Sequence, residues 1–146
     1  MILNLKISDF NTDQIKDVVF IEQQSLYSSW TEKMFLAEAE NKFSFFKIIK
    51  NDNKIIGYII YRIVFDEAEI LNIVIDKNFR GLKIGKYILN FTIENIKKKK
   101  CSVIFLEVHQ NNIIAQNLYE QTGFKKYGLR EKYYSGFDAI LMKLLL

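Results

Sequence analysis

The sequence contains no proline, one cysteine, one histidine, one tryptophan and only six glycines in 146 residues. Without proline nothing locks φ or removes a backbone donor, so element boundaries must come from capping side chains, glycines and polar turns. The single cysteine, Cys101, excludes an internal disulfide and any cysteine-based zinc cluster, and no metal is expected. Pairing Cys101 with the only histidine, His109, as a catalytic dyad fails on distance. The intervening Ser102–Val108 reads as a strand, and residue steps of about 3.3 Å put the two roughly 26 Å apart. Cys101 is therefore read as a small packing residue. No apolar run is long and uninterrupted enough to span a bilayer, and Met1–Lys6 lacks the apolar core of a secretion signal. A cytoplasmic protein without a membrane partner is the expectation.

What is present argues for a folded enzyme-sized domain. Hydrophobic residues make up 49% and aromatic residues 14%, enough for one substantial core over residues 1–146 and too much for a disordered chain. The formal charge of +4 equals the contribution of Lys97–Lys100 alone, so the rest of the chain is neutral. Four lysines closing a helix are favoured by the helix dipole and by water; the alternative is a docking patch for an acidic partner. Direct nucleic-acid contact is not required by this distribution.

The periodicities follow one another as β-α-α-β-β-β-α-β-α-β-β, a mixed α/β domain around one central sheet. Ile2–Ile7 alternates as an opening strand, and Asn11–Gln14 supplies a helix start before Ile15, Val18, Val19 and Glu22. Ser29-Trp30-Thr31-Glu32 has the form of a capping box before a short second helix. Phe43–Lys50 and Lys54–Val64 read as a hairpin turning at Asn51-Asp52-Asn53, and Glu67–Asp76 as the next strand. A broadly apolar helix carrying Ile84, Ile88, Leu89, Phe91, Ile93 and Ile96 follows. Ser102–Val108 is again strand, Asn112–Gln121 helix, and two strands near Phe124–Arg130 and Phe137–Leu144 close the chain.

Two segments carry candidate chemistry. In the first, apolar Ile70–Ile75 leads through Asp76–Phe79 into Arg80-Gly81-Leu82-Lys83-Ile84-Gly85-Lys86. Glycine permits close backbone approach, and the first N–H groups of a helix lack internal partners, so this strand-turn-helix makes a polyphosphate cradle. In the second, Glu107 ends an apolar strand. It is either an edge acid in water or a carboxylate facing a cleft, where desolvation would suit it to general-base work. His109 points to the same face and is either an alternative base or a solvated residue at the strand's edge. Asn112 and Tyr119 lie two helical turns apart and share a face with the small Ala115. Asn112 can cap its helix, address a ligand, or both. Tyr119 can be core, or a phenol able to protonate a thiolate leaving group.

In this order and at these spacings the segments resemble the GNAT superfamily of acetyl-CoA-dependent N-acetyltransferases, whose cofactor motif is Gln/Arg-x-x-Gly/Ala-x-Gly/Ala. Arg80 to Gly85 match it with one departure, Lys83 at the first Gly/Ala position. The resemblance sharpens toward the bacterial ribosomal-protein alanine N-acetyltransferases. It runs through Ile21-Glu22-Gln23-Gln24, Trp30–Phe35, Phe105–Val108, Leu118-Tyr119-Glu120, Gly123-Phe124, Arg130 and Asp138–Met142. His109 departs from the arginine expected at its position. The resemblance implies a GNAT fold: a single mixed, mostly antiparallel sheet flanked by about four helices. It further implies a strand splayed from its neighbour, with Ile73, Val74 and Ile75 offering backbone bonds to the pantetheine of acetyl-CoA. Arg80, Gly81, Leu82, Lys83, Ile84, Gly85 and Lys86 would hold the pyrophosphate, and Asn112 would add a cofactor contact. Glu107 is implied as proton acceptor and Tyr119 as proton donor.

The implied acceptor is the N-terminal α-amine of a protein, beginning with alanine, as on a small-subunit ribosomal protein. The segments Leu26–Thr31 and Lys132–Gly136 flank the expected cleft with Tyr27, Trp30, Tyr133 and Tyr134, which either wall an extended peptide or simply pack. A GNAT enzyme acting on a small amine, such as a polyamine or an aminoglycoside, is the alternative. A non-catalytic acyl-CoA-binding module is disfavoured by the presence of both Glu107 and Tyr119. A monomer or weak dimer is expected.

Overall fold

In the computed structural model, which describes residues 2–146 apart from the side chain of Tyr134, the periodicities become seven strands and four helices. They run β1 (Leu5–Asp9), α1 (Ile15–Glu22), α2 (Glu32–Ala39), β2 (Ser44–Asn51), β3 (Lys54–Val64), β4 (Glu67–Ile75) and α3 (Ile84–Lys98). Then come β5 (Val103–His109), α4 (Ile113–Gln121), β6 (Lys125–Tyr134) and β7 (Phe137–Leu145). The strands form one sheet in the order β1-β2-β3-β4-β5-β7-β6. Only β4 and β5 run parallel, because α3 carries the chain back across the sheet between them; the other neighbours are antiparallel.

Capping explains where the helices begin. Asn11 accepts from the Asp13 N–H at 3.2 Å while the Gln14 side chain accepts from the Asn11 N–H at 2.9 Å. This reciprocal box opens a short 3-10 turn that continues into α1. The cap of α2 is Thr31, whose hydroxyl accepts from the Met34 N–H at 3.2 Å, and not the Ser29 box expected from sequence. Just before this cap, the N–H of Trp30 donates to the buried carboxylate of Glu22 at 2.9 Å, which ties the α1–α2 loop to α1.

Helices cover both faces of the sheet. On one, Ile88, Leu89 and Ile96 of α3 pack with Ile59, Ile104, Leu106 and Met142. On the other, Val18 and Ile21 of α1 and Phe35 of α2 pack with Ile48, Tyr58 and Ile60. Each fully buried side chain of this size contributes about 1.5–3 kcal/mol of transfer free energy. The α2 layer is also tied down by Glu38, which accepts from Arg62 Nε and Nη2 at 2.6 and 2.7 Å.

The feature that positions the site is a fault in β4. Against β3, Ile60 faces Asn72 while Tyr61 faces Ile70, so Leu71 is an extra residue. The side-chain phase flips there: Ala68 and Ile70 belong to the α3-side core, whereas Asn72 and Val74 turn toward α1. A bulge bends and twists its strand. Pairing of β4 with β5 accordingly stops at Ile70 and Leu106, and beyond that point the two strands part.

Candidate active site

The opening between β4 and β5 leads into a cavity of about 590 Å³. Tyr27 and Trp30 border it from the α1–α2 loop, Leu71 and Ile73 from β4, Glu107 from β5, Asn112 and Tyr119 from the start and body of α4, and Tyr133 from β6. Sequence-expected residues separated by more than a hundred positions thus meet at one place. Val74 does not line it: its side chain is buried on the α1 face, as the phase flip at Leu71 requires. Its backbone still runs along the strand edge that β5 has left. The Tyr134 side chain, expected to share the wall, lies outside the described residues.

At the C-terminal end of β4 the chain turns into α3 through Gly81 at φ +77° and Lys83 at φ +63°. Lys83 is the N-cap residue and supplies no side-chain cap, although its carbonyl accepts the Tyr87 N–H at 3.1 Å. The first-turn N–H groups at Ile84, Gly85 and Lys86 therefore have no partner inside the helix and no side-chain cap. A Cβ on Gly81 would meet nothing within 4 Å, so the loop leaves open room beside these donors. Arg80 donates from Nε to the Ile75 carbonyl at 3.1 Å, bracing the loop against β4. The donor set suits a pyrophosphate. The left-handed backbone at Lys83 also explains why a glycine is usual at that motif position. A Cβ on Gly85 would lie 3.4 Å from Leu118 Cδ2 of α4, an ordinary contact distance.

On the α1–α2 side of the sheet, Glu107 pairs with Arg130 of β6, Oε1 to Nη2 at 2.5 Å. Glu69 of β4 faces the same way, since it pairs with Phe105 and Glu107 lies one pleat further along β5. Glu69 borders both the main cavity and a side pocket of about 250 Å³ that it shares with Glu107, Tyr127 and Arg130. Burial, and then the negative charge of Glu107, hold the Glu69 carboxyl above the usual carboxylate range; Arg62 and Arg130 pull the other way. Burial and both carboxylates likewise raise the Tyr127 phenol. Glu69 and Arg130 were not among the site residues expected from sequence. The signal was an acid between the apolar Ala68 and Ile70, inside the strand and not at its first residue, Glu67.

Tyr119 is buried, 6% exposed, with its ring edge-on to Phe124 at 5.7 Å, and it still borders the cavity. Asn112 is the cap of α4, its Oδ1 accepting from the Ala115 N–H at 3.2 Å, and the residue borders the cavity. His109 departs from the solvated residue expected. It is 8% exposed, packed between Tyr27 at 4.9 Å and Phe137 at 5.0 Å, and its Nδ1 accepts the Asn111 N–H at 3.0 Å. The α1–α2 loop closes over the ring, and the Tyr27 hydroxyl donates to the Asn111 carbonyl at 3.3 Å. His109 is thus part of the wall. Gln116 fixes the turn beneath it, donating to the carbonyls of His109 and Gln110 at 3.2 and 3.0 Å.

A three-layer fold with a bulge-split parallel pair, an uncapped helix start at the split and a carboxylate and phenol at its mouth defines an acyltransferase architecture. The chain matches the Acetyltransferase (GNAT) family over residues 13–124 and belongs to it. It is an acetyl-CoA-dependent N-acetyltransferase. Among its relatives, the [ribosomal protein bS18]-alanine N-acetyltransferase of Escherichia coli (strain K12) is 30% identical over 142 residues, covering 94% of this chain and 95% of the relative. That of Haemophilus ducreyi is 32% identical over 131 residues, covering 86% and 90%. The crystal structure of the Escherichia coli ribosomal-protein-S18-alanine N-acetyltransferase superposes with a TM-score of 0.90 at 29% identity, over 97% of this chain and 94% of that one. Ard1 from Thermoplasma volcanium shares the fold, with a TM-score of 0.91 at 23% identity over 97% of each chain. Among the described residues no helix is long and apolar enough to cross a membrane.

Proposed function

We propose that this enzyme transfers acetyl from acetyl-CoA to the N-terminal α-amine of a protein beginning with alanine, a small-subunit ribosomal protein being the favoured acceptor. The observation that carries this reading is the meeting of Glu107 and Tyr119 at one cavity where β4 and β5 part. The similarity to the bS18-alanine enzymes supports the acceptor.

The substrate's pyrophosphate would rest on the first turn of α3 with Arg80, Lys83 and Lys86 around it, and its pantetheine arm along the freed edge at Ile73–Ile75. Glu107 takes a proton from the acceptor ammonium, directly or through water. The amine attacks the thioester carbon in a ternary complex, and backbone N–H groups near Val74 and Ile75 stabilise the developing oxyanion. Collapse breaks the carbon–sulfur bond, the Tyr119 phenol protonates the leaving thiolate, and the second proton on the amide nitrogen returns to Tyr119, leaving neutral amide and free thiol. Free amine favours an α-amine: near pH 7 about one α-amine in ten is neutral, against about one lysine in a few thousand.

A small cationic amine such as a polyamine is the second reading, favoured by the two carboxylates lining the side pocket. Mass spectrometry after incubation with acetyl-CoA separates the two. Ala-starting peptides should be acetylated faster than the same peptides carrying a blocked α-amine and an internal lysine. Equal rates on both, or activity on free polyamines alone, would overturn the protein-N-terminus assignment.

A further inference from the structure

Within the side pocket, Glu107 is not the only acid. Glu69 from β4, exposed, and Glu107 from β5, part-buried, border the same 250 Å³ space on neighbouring strands. The other charged and titratable groups facing them come from every adjoining element. From β3 comes Arg62, already committed to Glu38 of α2, to which it donates two hydrogen bonds. From β6 come Tyr127 and Arg130, and from β7 comes Lys143, whose Nζ lies 5.2 Å from the Tyr127 ring centre. His109 follows on β5 itself, Tyr119 reaches the cavity from α4, and Tyr27 from the α1–α2 loop. Among the described residues, Arg130 alone forms an ion pair with Glu107. The guanidinium also lies over the Tyr133 ring, 4.8 Å from its centre, so it joins the carboxylate to the cleft wall.

We propose that Arg130 is a positioning residue for the proton acceptor: its guanidinium pairs with Glu107 beside the second carboxylate, Glu69, and holds the Glu107 carboxylate at the mouth of the cleft. The proposal rests on Glu107 being the proton acceptor. Two carboxylates sharing a partly desolvated pocket raise one another's proton affinity, and a cation between them reverses this. Removing Arg130 should therefore narrow activity on the acid side of the pH profile. A guanidinium suits this role because it stays charged throughout the working range and can stack on a ring while pairing with a carboxylate.

The test is kcat/KM between pH 5.5 and 9 on one Ala-starting peptide, for the wild type, Arg130→Met, Arg130→Lys, Glu69→Gln and the double variant Arg130→Met/Glu69→Gln. The substrate amine is common to all, so any displacement of the acidic limb belongs to the enzyme. Arg130→Met should move the acidic limb up by about one unit, a loss that approaches tenfold only at pH values below the wild-type limb and is less than about twofold at pH 9. Arg130→Lys, which keeps the charge, and the double variant, which removes the repulsion, should each recover most of the loss. A loss that is the same at every pH and is not rescued, or no loss at all, would overturn the proposal. Should Arg130→Met fail to fold, Glu69→Gln decides alone: it must move the limb to lower pH, and an unmoved limb overturns the role. Glu107→Gln is measured alongside. Full activity there removes the underlying assignment of the acceptor, whereas an impaired Glu107→Gln beside a pH-independent Arg130→Met removes only the role given to Arg130.

Discussion

Two carboxylates on the α1–α2 side of the sheet have opposite surroundings. Glu22 is 2% exposed and accepts from three donors: the Tyr58 hydroxyl at 2.6 Å, the Asn72 amide at 3.1 Å and the Trp30 N–H at 2.9 Å. Burial and the charge of Glu22 push the Tyr58 phenol far above its ordinary range. Glu107 borders two cavities and is held by one half-exposed guanidinium. The first carboxylate has its lone pairs occupied and joins α1, the α1–α2 loop, β3 and β4. The second keeps acceptor capacity on the side where a substrate amine can arrive. Burial alone marks neither for chemistry; the number of donors already satisfied does.

The largest effect expected from this contrast is on turnover. Glu107→Gln should lower kcat/KM by about 10²–10⁴-fold, most strongly at low pH where the acceptor ammonium is hardest to deprotonate, with an unchanged melting temperature. Tyr119→Phe should slow transfer while leaving acetyl-CoA affinity intact, because the ring and its contact with Phe124 remain. Steady-state kinetics with calorimetric binding measures both. Wild-type rates for the two variants between pH 6 and 9 would end the acid–base assignment.

Glu22→Ala should act on the other side of the comparison. It strands a buried hydroxyl, an amide and a backbone N–H, and hydrogen bonds to a charged partner are worth about 1.5–3 kcal/mol each before relaxation. A loss of about 3 kcal/mol in a denaturant titration is expected. Glu22→Gln, which keeps one acceptor oxygen, should lose less. A loss below about 1 kcal/mol for Glu22→Ala would show that the network is dispensable and the contrast misplaced.

The different legibility of the two regions has the same origin. Helical spacing and the strand sequence from Phe43 to Asp76 are local patterns, and they correspond closely to α3, β2, β3 and β4. Glu107 and Tyr119, expected on a strand end and on the helix after it, border one cavity. The bulge at Leu71 was not legible, because Glu67–Asp76 reads as an uninterrupted strand and the extra residue exists only relative to β3. Partners distant in the chain were equally silent: Glu22 meets Tyr58 and Asn72, and Glu107 meets Arg130, only after the sheet has formed. His109 looked solvated because Tyr27 and Phe137, which bury it, come from loop and strand far on either side.

A smaller effect probes the cofactor loop. Lys83 occupies a left-handed conformation that costs a side-chain-bearing residue about 1 kcal/mol relative to glycine. Lys83→Gly should therefore raise stability by up to about 1 kcal/mol while weakening acetyl-CoA several-fold, since a cation beside the pyrophosphate is lost. Gly85→Val should weaken acetyl-CoA as well, but by pressing on Leu118 and unseating α3 from α4. If Lys83→Gly binds acetyl-CoA more tightly, the lysine contributes nothing to the phosphates and its presence is strain alone.

The smallest effect separates Glu69 from both other acids. Its carboxyl is held above the usual range by burial and then by the charge of Glu107, so the folded chain binds this proton more tightly than the unfolded chain does. Stability from this group is complete below the unfolded carboxyl's value and is lost as pH rises through the folded value. At pH 7 the cost of ionised Glu69 is fully present; near pH 4 the group is largely protonated in the folded state and the cost has nearly gone. Glu69→Gln is neutral throughout, so it should raise the melting temperature at pH 7 and give little or no gain near pH 4. Solvent screens a side chain this exposed, which limits the gain to about 1–2 °C for a domain of this size. Scanning calorimetry at the two pH values measures the difference directly. An equal gain at both would assign the change to packing of the amide and not to charge, and would leave Glu107 without an acidic neighbour for Arg130 to offset.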